Sequence, residues 1–265
     1  MRKSKILCIL LILLITLSSC KTNQQVKNEI TNSYVEWENN ITVNNIEDAL
    51  TTATSIAKQT VIGVKSTIKA VVKTVETGSA VIIKRNTTNE GDYLYFAITN
   101  RHVVDSTNPV DVEVYLGENL GYHSATVNYV DQKVDVALIS FFSPYLLGVA
   151  NISKNELKEG AFAIAIGSPY DLELYYNTIT IGSISSVKRI KKEYDKNDNV
   201  VYNEYIQHSA TLNKGNSGGG LFNIYGELVG INCWKITGTL NNPIEGMSFA
   251  IPINIAYQII EKYLF

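Results

Sequence analysis

Cysteine is scarce in this chain: Cys8, Cys20 and Cys233 are the only three in 265 residues. Three thiols so widely scattered make neither a disulfide framework nor a structural zinc site, and no metal or cofactor is expected. Basic blocks are lacking as well. The formal net charge is −2, and without a cationic stripe nucleic acid is not expected as a partner. No repeat of 20 to 50 residues is visible, which sets propellers and solenoids aside. What the chain does contain is 45% hydrophobic and 18% charged residues in 265 positions. That composition excludes a disordered tail and a polytopic membrane protein, and it suffices for one large domain or two small ones.

The N-terminus reads as an address. Arg2, Lys3 and Lys5 precede an apolar stretch, Ile6 to Leu17, interrupted only by Cys8 and Thr16. Twelve residues are too few to anchor across a hydrocarbon core of about 30 Å, but they suit a secretory signal. Leu17-Ser18-Ser19-Cys20 resembles the lipobox of bacterial lipoproteins, which implies removal of residues 1–19 and lipidation of Cys20, with the membrane as a partner at the cell envelope. Residues 20–45, rich in Asn, Thr, Gln and Glu, then form a flexible tether. Tyr34 and Trp37 offer an alternative there, as aromatic contacts for a partner subunit.

From residue 46 to 265 the expectation is one all-β domain. A short helix over Ile46 to Lys58 is followed by about thirteen short strands, among them Thr60–Val64, Ala70–Val75, Ser79–Lys84, Tyr93–Thr99, Thr178–Val187 and Tyr202–His208. Clusters of Gly, Pro, Asn and Asp separate them, and a helical pattern over Asn254 to Leu264 closes the chain. The βα rhythm of a parallel sheet is missing. Two packed six-stranded antiparallel barrels fit this length, the first over about residues 60–145 and the second over about 155–252.

Three segments carry chemistry. In Asn213-Lys214-Gly215-Asn216-Ser217-Gly218-Gly219-Gly220 a serine stands among glycines, which let the backbone approach a substrate carbonyl and aim successive N–H groups at one point. Tyr95 to Thr99 is an apolar strand running into Asn100-Arg101-His102. Asp135 heads the apolar run Val136-Ala137-Leu138-Ile139, where a carboxylate needs a hydrogen-bond partner such as an imidazole N–H. Chain order separates the serine-hydrolase classes. The histidines, His102, His123 and His208, all precede Ser217, which excludes the α/β-hydrolase order. A subtilisin order would need an α/β sheet. His102, Asp135, Ser217 is the order of the double-barrel proteases.

Thr99-Asn100-Arg101-His102-Val103-Val104, Asp135-Val136-Ala137-Leu138, Ala165-Ile166-Gly167-Ser168-Pro169, Gly182-Ser183-Ile184-Ser185, Gly215-Asn216-Ser217-Gly218-Gly219 and Phe249-Ala250-Ile251-Pro252 together resemble the HtrA (Deg-type) branch of the trypsin-like serine proteases. The resemblance implies a serine endopeptidase acting on polypeptide substrates. His102 would be the general base, Asp135 its orienting carboxylate and Ser217 the nucleophile, with the N–H groups of Gly215 and Ser217 as the oxyanion hole. Thr211 stands where trypsins that cut after Lys or Arg carry Asp, which implies small or medium apolar side chains at the cleaved position. His208, nine residues before Ser217, is a second candidate substrate contact.

Two departures matter. Asn216 replaces the aspartate that pairs with a new N-terminus in digestive trypsins, so zymogen cleavage is not the expected switch. No PDZ domain is expected after the last helix. Trimerisation, common in that branch, stays open, with no feature of this sequence arguing for it. Two other readings also stay open: the same fold as a peptide-binding or sensing module with little turnover, and an envelope esterase.

Overall fold

The computed structural model describes residues 43–88, 92–106, 108–195, 197–236, 238–239 and 242–264. The signal segment, Cys20 and nearly all of the tether lie outside the described residues. The chain divides into two units, 1–48 and 49–265; of the first, only residues 43–48 are described, within helix α1 (Val43–Lys58). No helix among the described residues is long and apolar enough to cross a membrane.

The rest is built on two closed six-stranded antiparallel barrels, as the sequence led us to expect. The first contains β1 (Val61–Ile68), β2 (Thr74–Thr87), β3 (Tyr93–Thr99), β4 (Val110–Tyr115), β5 (Tyr122–Val130) and β6 (Ala137–Ser143), in the order β1-β2-β3-β6-β5-β4. The four-residue helix α2 (Arg101–Val104) lies between β3 and β4. The second barrel contains β7 (Phe162–Gly167), β8 (Thr178–Tyr194), β9 (Val200–His208), β10 (Gly220–Phe222), β11 (Leu228–Lys235) and β14 (Ser248–Pro252), in the order β10-β11-β14-β9-β8-β7. A two-stranded ribbon, β12 (Gly238–Thr239) with β13 (Asn242–Pro243), helix α3 (Ile253–Ile260) and a 3-10 turn (Glu261–Tyr263) complete the described elements.

Strand alternation explains how the barrels pack. Tyr95 and Ala97 of β3 point into the first barrel's core with Ile62, Val64, Ile82, Ile139 and Phe141. Their neighbours Phe96 and Ile98 point the other way, into a shared cluster with Ile164, Ile166, Phe222, Ile231 and Ile251 of the second barrel. On β7 the same division sends Ala163 and Ala165 into the second barrel's core. A strand buried on both faces reads as a continuous apolar run rather than an alternation, which is how β3, β7 and β11 stand in the sequence. The seam these residues form is what brings chemical groups from both barrels together.

One expected strand is absent. Ala70–Val75 is mostly a turn, and β2 instead runs unbroken from Thr74 to Thr87. Val71 is 106% exposed and Val72 is also open to solvent: β-branched residues imitate a strand locally, but among the described residues nothing pairs with them. β8 and β9 also extend beyond their expected ends, and Arg189–Tyr194 pairs with Val200–Tyr205 as a projecting ribbon.

His208 sits inside the second barrel, between Ile184 and Ser248 of the flanking strands. It is completely buried and therefore does not face a cleft, against the expectation of a substrate contact. Neither ring nitrogen has a hydrogen-bond partner among the described residues. Burial pushes its imidazole down to about 4, with a weaker opposing pull from the Ala210 backbone. A histidine lowered on folding stabilises the protein while both states are neutral, above its ordinary value near 6.5, and that stability is lost as pH falls from about 6.5 toward 4. The expected result is a loss of about 2 kcal/mol in unfolding free energy between pH 8 and pH 5 from this group alone. Urea midpoints at the two pH values check it: His208→Leu should lose that part of the slope, and an unchanged slope would refute the assignment.

Candidate active site

β3 ends at Thr99, and the short α2 turns His102 back toward the head of β6. There Asn100 Nδ2 donates to the backbone carbonyl of Asp135 at 2.9 Å. Asp135 holds the histidine at two points: its Oδ1 accepts the His102 backbone N–H at 2.9 Å, and its Oδ2 lies 2.6 Å from Nδ1. The His102 side chain is 49% exposed and that of Asp135 only 17%. Burial alone would raise the Asp135 carboxyl, but the His102 ring, the His102 backbone N–H and the Cys233 thiol outweigh it, so the group is held below the usual carboxylate range. An ionised carboxylate only accepts, so Nδ1 carries the proton, and Nε2 is the nitrogen that holds the lone pair in the neutral ring.

Ser217 comes from the other barrel, on the turn before β10. Gly215 has φ +102° and Gly218 φ +83°, the left-handed region where a side chain is strained. Space forbids one too. A Cβ on Gly215 would strike the Ser168 carbonyl, and one on Gly218 the Ser79 carbonyl and the Thr99 hydroxyl. The turn is tied by Asn216 N–H to Asn213 C=O at 3.0 Å, Gly218 N–H to Asn232 C=O at 2.9 Å and Ser79 N–H to Ser217 C=O at 2.8 Å. Among the described residues neither Gly215 N–H nor Ser217 N–H is taken by a protein acceptor. Two donors left unspent on a rigid turn are what a developing oxyanion needs.

The Ser217 hydroxyl donates to the Cys233 carbonyl at 3.1 Å, and no hydrogen bond joins it to His102 among the described residues. The Cys233 thiol in turn donates to Asp135 Oδ2 at 3.1 Å. One residue of β11 therefore touches two of the three expected catalytic groups. Cys233 is buried, and its thiol is spent on the carboxylate. Burial, then the Asp135 charge and hydrogen bond, push this thiol well up, so it stays protonated. Its position on a strand 16 residues after Ser217 is the only linear hint of that role.

Beside the His102–Asp135 pair lies a cleft of about 290 Å³, walled by Lys191, Tyr194, Tyr205 and Trp234 among others. Lys191 Nζ stands 4.0 Å above the Trp234 ring and 2.8 Å from Glu193. Glu193 also accepts from Tyr205 at 2.6 Å and Asn203 at 2.8 Å. The β8–β9 ribbon is thus a braced wall. A larger hollow of about 640 Å³ near Ser153, Phe162 and Tyr225 contains none of the expected catalytic groups; chemistry, not volume, marks the site. Thr211 is exposed, and its carbonyl accepts the Thr180 hydroxyl at 2.8 Å. Among the described residues no cluster of His, Cys, Asp and Glu is suited to a metal ion.

Comparison with known proteins agrees with this geometry. Residues 78–231 match the trypsin-like peptidase domain. Serine protease HTRA1B of Danio rerio is 40% identical over 156 residues, covering 58% of this chain and 30% of the relative. Serine protease HTRA4 of Mus musculus is 37% identical over 168 residues, covering 63% of this chain and 32% of the relative. The match thus spans about a third of the length of these relatives. With more than half of its residues inside the matched domain and both barrels in place, the chain belongs to the trypsin-like peptidase family, and its similarity runs to the HtrA serine proteases.

Proposed function

We propose that the chain is a serine endopeptidase, tethered to a bacterial membrane through lipid on Cys20, that cuts unfolded or exposed segments of envelope polypeptides. The observation that supports this reading is that Cys233 joins the two sides: its carbonyl accepts the Ser217 hydroxyl, and its thiol donates to Asp135, the carboxylate that holds the His102 ring. Ser217 Oγ attacks the scissile carbonyl carbon while His102 Nε2 takes its proton. The carbonyl oxygen becomes an anion facing Gly215 N–H and Ser217 N–H. As the C–N bond breaks, His102 gives that proton to the leaving amine, and an acyl-enzyme remains on Ser217. His102 then deprotonates a water that attacks the ester; the acyl C–Oγ bond breaks, the proton passes from His102 to Ser217 Oγ, and the carboxylic acid product leaves.

Rotation of the Ser217 side chain from the Cys233 carbonyl toward His102 is the step that readies the nucleophile. The hydrogen bond it gives up is worth about 1 kcal/mol net, so bound substrate can reverse the preference. The same hydrogen bond favours a second reading, a peptide-binding module that rests unreactive. Casein and a fluorophosphonate probe separate the two. Cleavage of casein with labelling at Ser217 is the expected result, and peptide retention with neither cleavage nor labelling would establish the binding module instead.

The anchor has its own test. Expressed in a bacterium, the full chain is expected in the membrane fraction and Cys20→Ala in the soluble one. An unchanged distribution would remove the lipid from the proposal.

A further inference from the structure

Ser79 lies in β2 of the first barrel, yet most of its polar contacts are with the second. It is completely buried. Its hydroxyl donates to the Gly215 carbonyl at 2.8 Å and accepts the Ser168 backbone N–H at 2.9 Å. Its own N–H donates to the Ser217 carbonyl at 2.8 Å, and its carbonyl accepts the Thr99 hydroxyl at 2.7 Å. Every polar group of this residue is used, and three of the four bonds reach the nucleophile turn or the loop against it. We propose that Ser79 is a positioning residue that holds the oxyanion-binding turn in its working form from across the barrel seam. The proposal rests on the peptidase reading above and assigns it a residue that touches no substrate.

Two peptide planes set the direction of the Gly215 N–H. Gly215, at φ +102°, is a residue with several accessible conformations and no side chain to choose among them. Its carbonyl is fixed directly by the Ser79 hydroxyl. Its N–H belongs to the preceding plane, whose carbonyl, that of Lys214, accepts Tyr170 N–H at 2.8 Å. In a trans peptide the N–H and C=O point in opposite directions, so anchoring the Lys214 carbonyl aims the Gly215 N–H away from that anchor. Tyr170 itself sits at φ +60°, a conformation disfavoured for a bulky residue and held only by its surroundings. Two residues earlier, Ser168 N–H is the group that Ser79 accepts. One hydroxyl therefore fixes the Gly215 carbonyl directly and the Gly215 N–H through the 168–170 loop. Packing leaves little room for a replacement: a Cβ on Gly167 would come within 3.1 Å of the Ser79 hydroxyl oxygen, and one on Gly78 within 3.2 Å of the Ser217 carbonyl.

A residue that positions the oxyanion donors acts on the transition state and leaves ground-state peptide binding alone. Ser79→Ala is expected to lower kcat about 10- to 100-fold on a peptide substrate, with KM within twofold. Affinity for a peptidyl boronic acid carrying a valine-like boronate, whose tetrahedral adduct places an oxygen at the same donors, should fall by the same factor as kcat/KM. A purely structural role would lower the melting temperature and the active fraction without changing that ratio. Unchanged kcat and boronate affinity, or a rise in KM alone, would overturn the proposal. Should Ser79→Ala fail to fold, Ser79→Cys keeps a weaker donor in place; an intermediate loss in both quantities is expected, and wild-type kcat would overturn it. A wild-type chain that neither cleaves nor is labelled removes the peptidase reading and this inference with it. An active wild type with an unaffected Ser79→Ala removes the inference alone.

Discussion

Ser217→Ala is expected to reduce kcat/KM on an unfolded polypeptide by about five to six orders of magnitude, and to abolish fluorophosphonate labelling. The size follows from the covalent route. Without the hydroxyl there is no acyl-enzyme, and His102 is left to activate water in a site arranged for a serine attack. The fold should survive. Ser217 is partly exposed, and among the described residues its hydroxyl makes one hydrogen bond, to the Cys233 carbonyl, whose loss costs about 1 kcal/mol. The turn is held instead by backbone bonds, among them Gly218 N–H to Asn232 C=O and Ser79 N–H to Ser217 C=O. An inactive variant with wild-type circular dichroism and a melting temperature within a few degrees is therefore the expected pair of results. Activity within tenfold of wild type would mean that the hydrolysis runs elsewhere, and the mechanism would fall.

How much of this was legible before coordinates depends on which forces write themselves locally. Gly215 and Gly218 are visible because positive φ and close backbone approach admit little else, and a serine between them is conspicuous. His102 and Asp135 are visible because a titratable group beside an apolar strand needs a chemical reason. The barrels are visible through strand length and turn residues. What stayed hidden depends on long-range pairing. Val71 and Val72 carry strand propensity but have no partner strand among the described residues, so the turn there is a tertiary outcome. His208 stands near Ser217 in sequence, but strand pairing with Ile184 and Ser248 takes it into the barrel. Ser79 and Cys233 reach the site only because the barrels meet, and no spacing rule joins residue 79 to 215 or 135 to 233. The direction of the Ser217 hydroxyl is a rotamer, which sequence does not encode.

Asp135→Asn is expected to lower kcat by about 10⁴ with KM little changed. The carboxylate now makes three acceptances: the His102 backbone N–H on Oδ1, and the His102 ring with the Cys233 thiol on Oδ2. An asparagine has one oxygen and one NH₂ for the same three donors. If its NH₂ faces the ring, Nδ1 must accept, the proton moves to Nε2, and the base that should receive the Ser217 proton is already occupied. If its oxygen faces the ring, the NH₂ is set against the His102 backbone N–H, donor against donor, and the short α2 that carries the ring is pushed from its place. Either way the imidazolium formed during attack loses the adjacent negative charge that stabilises it. Cys233 provides the internal control. Cys233→Ser keeps a donor to Oδ2 and the same main-chain carbonyl, so its kcat should stay within a few-fold of wild type, while Cys233→Ala removes only one of the three donors and should fall far short of the Asp135→Asn loss. Equal losses in Asp135→Asn and Cys233→Ala would instead mean that the carboxylate works by holding β11 in place, and its role in orienting His102 would have to be given up.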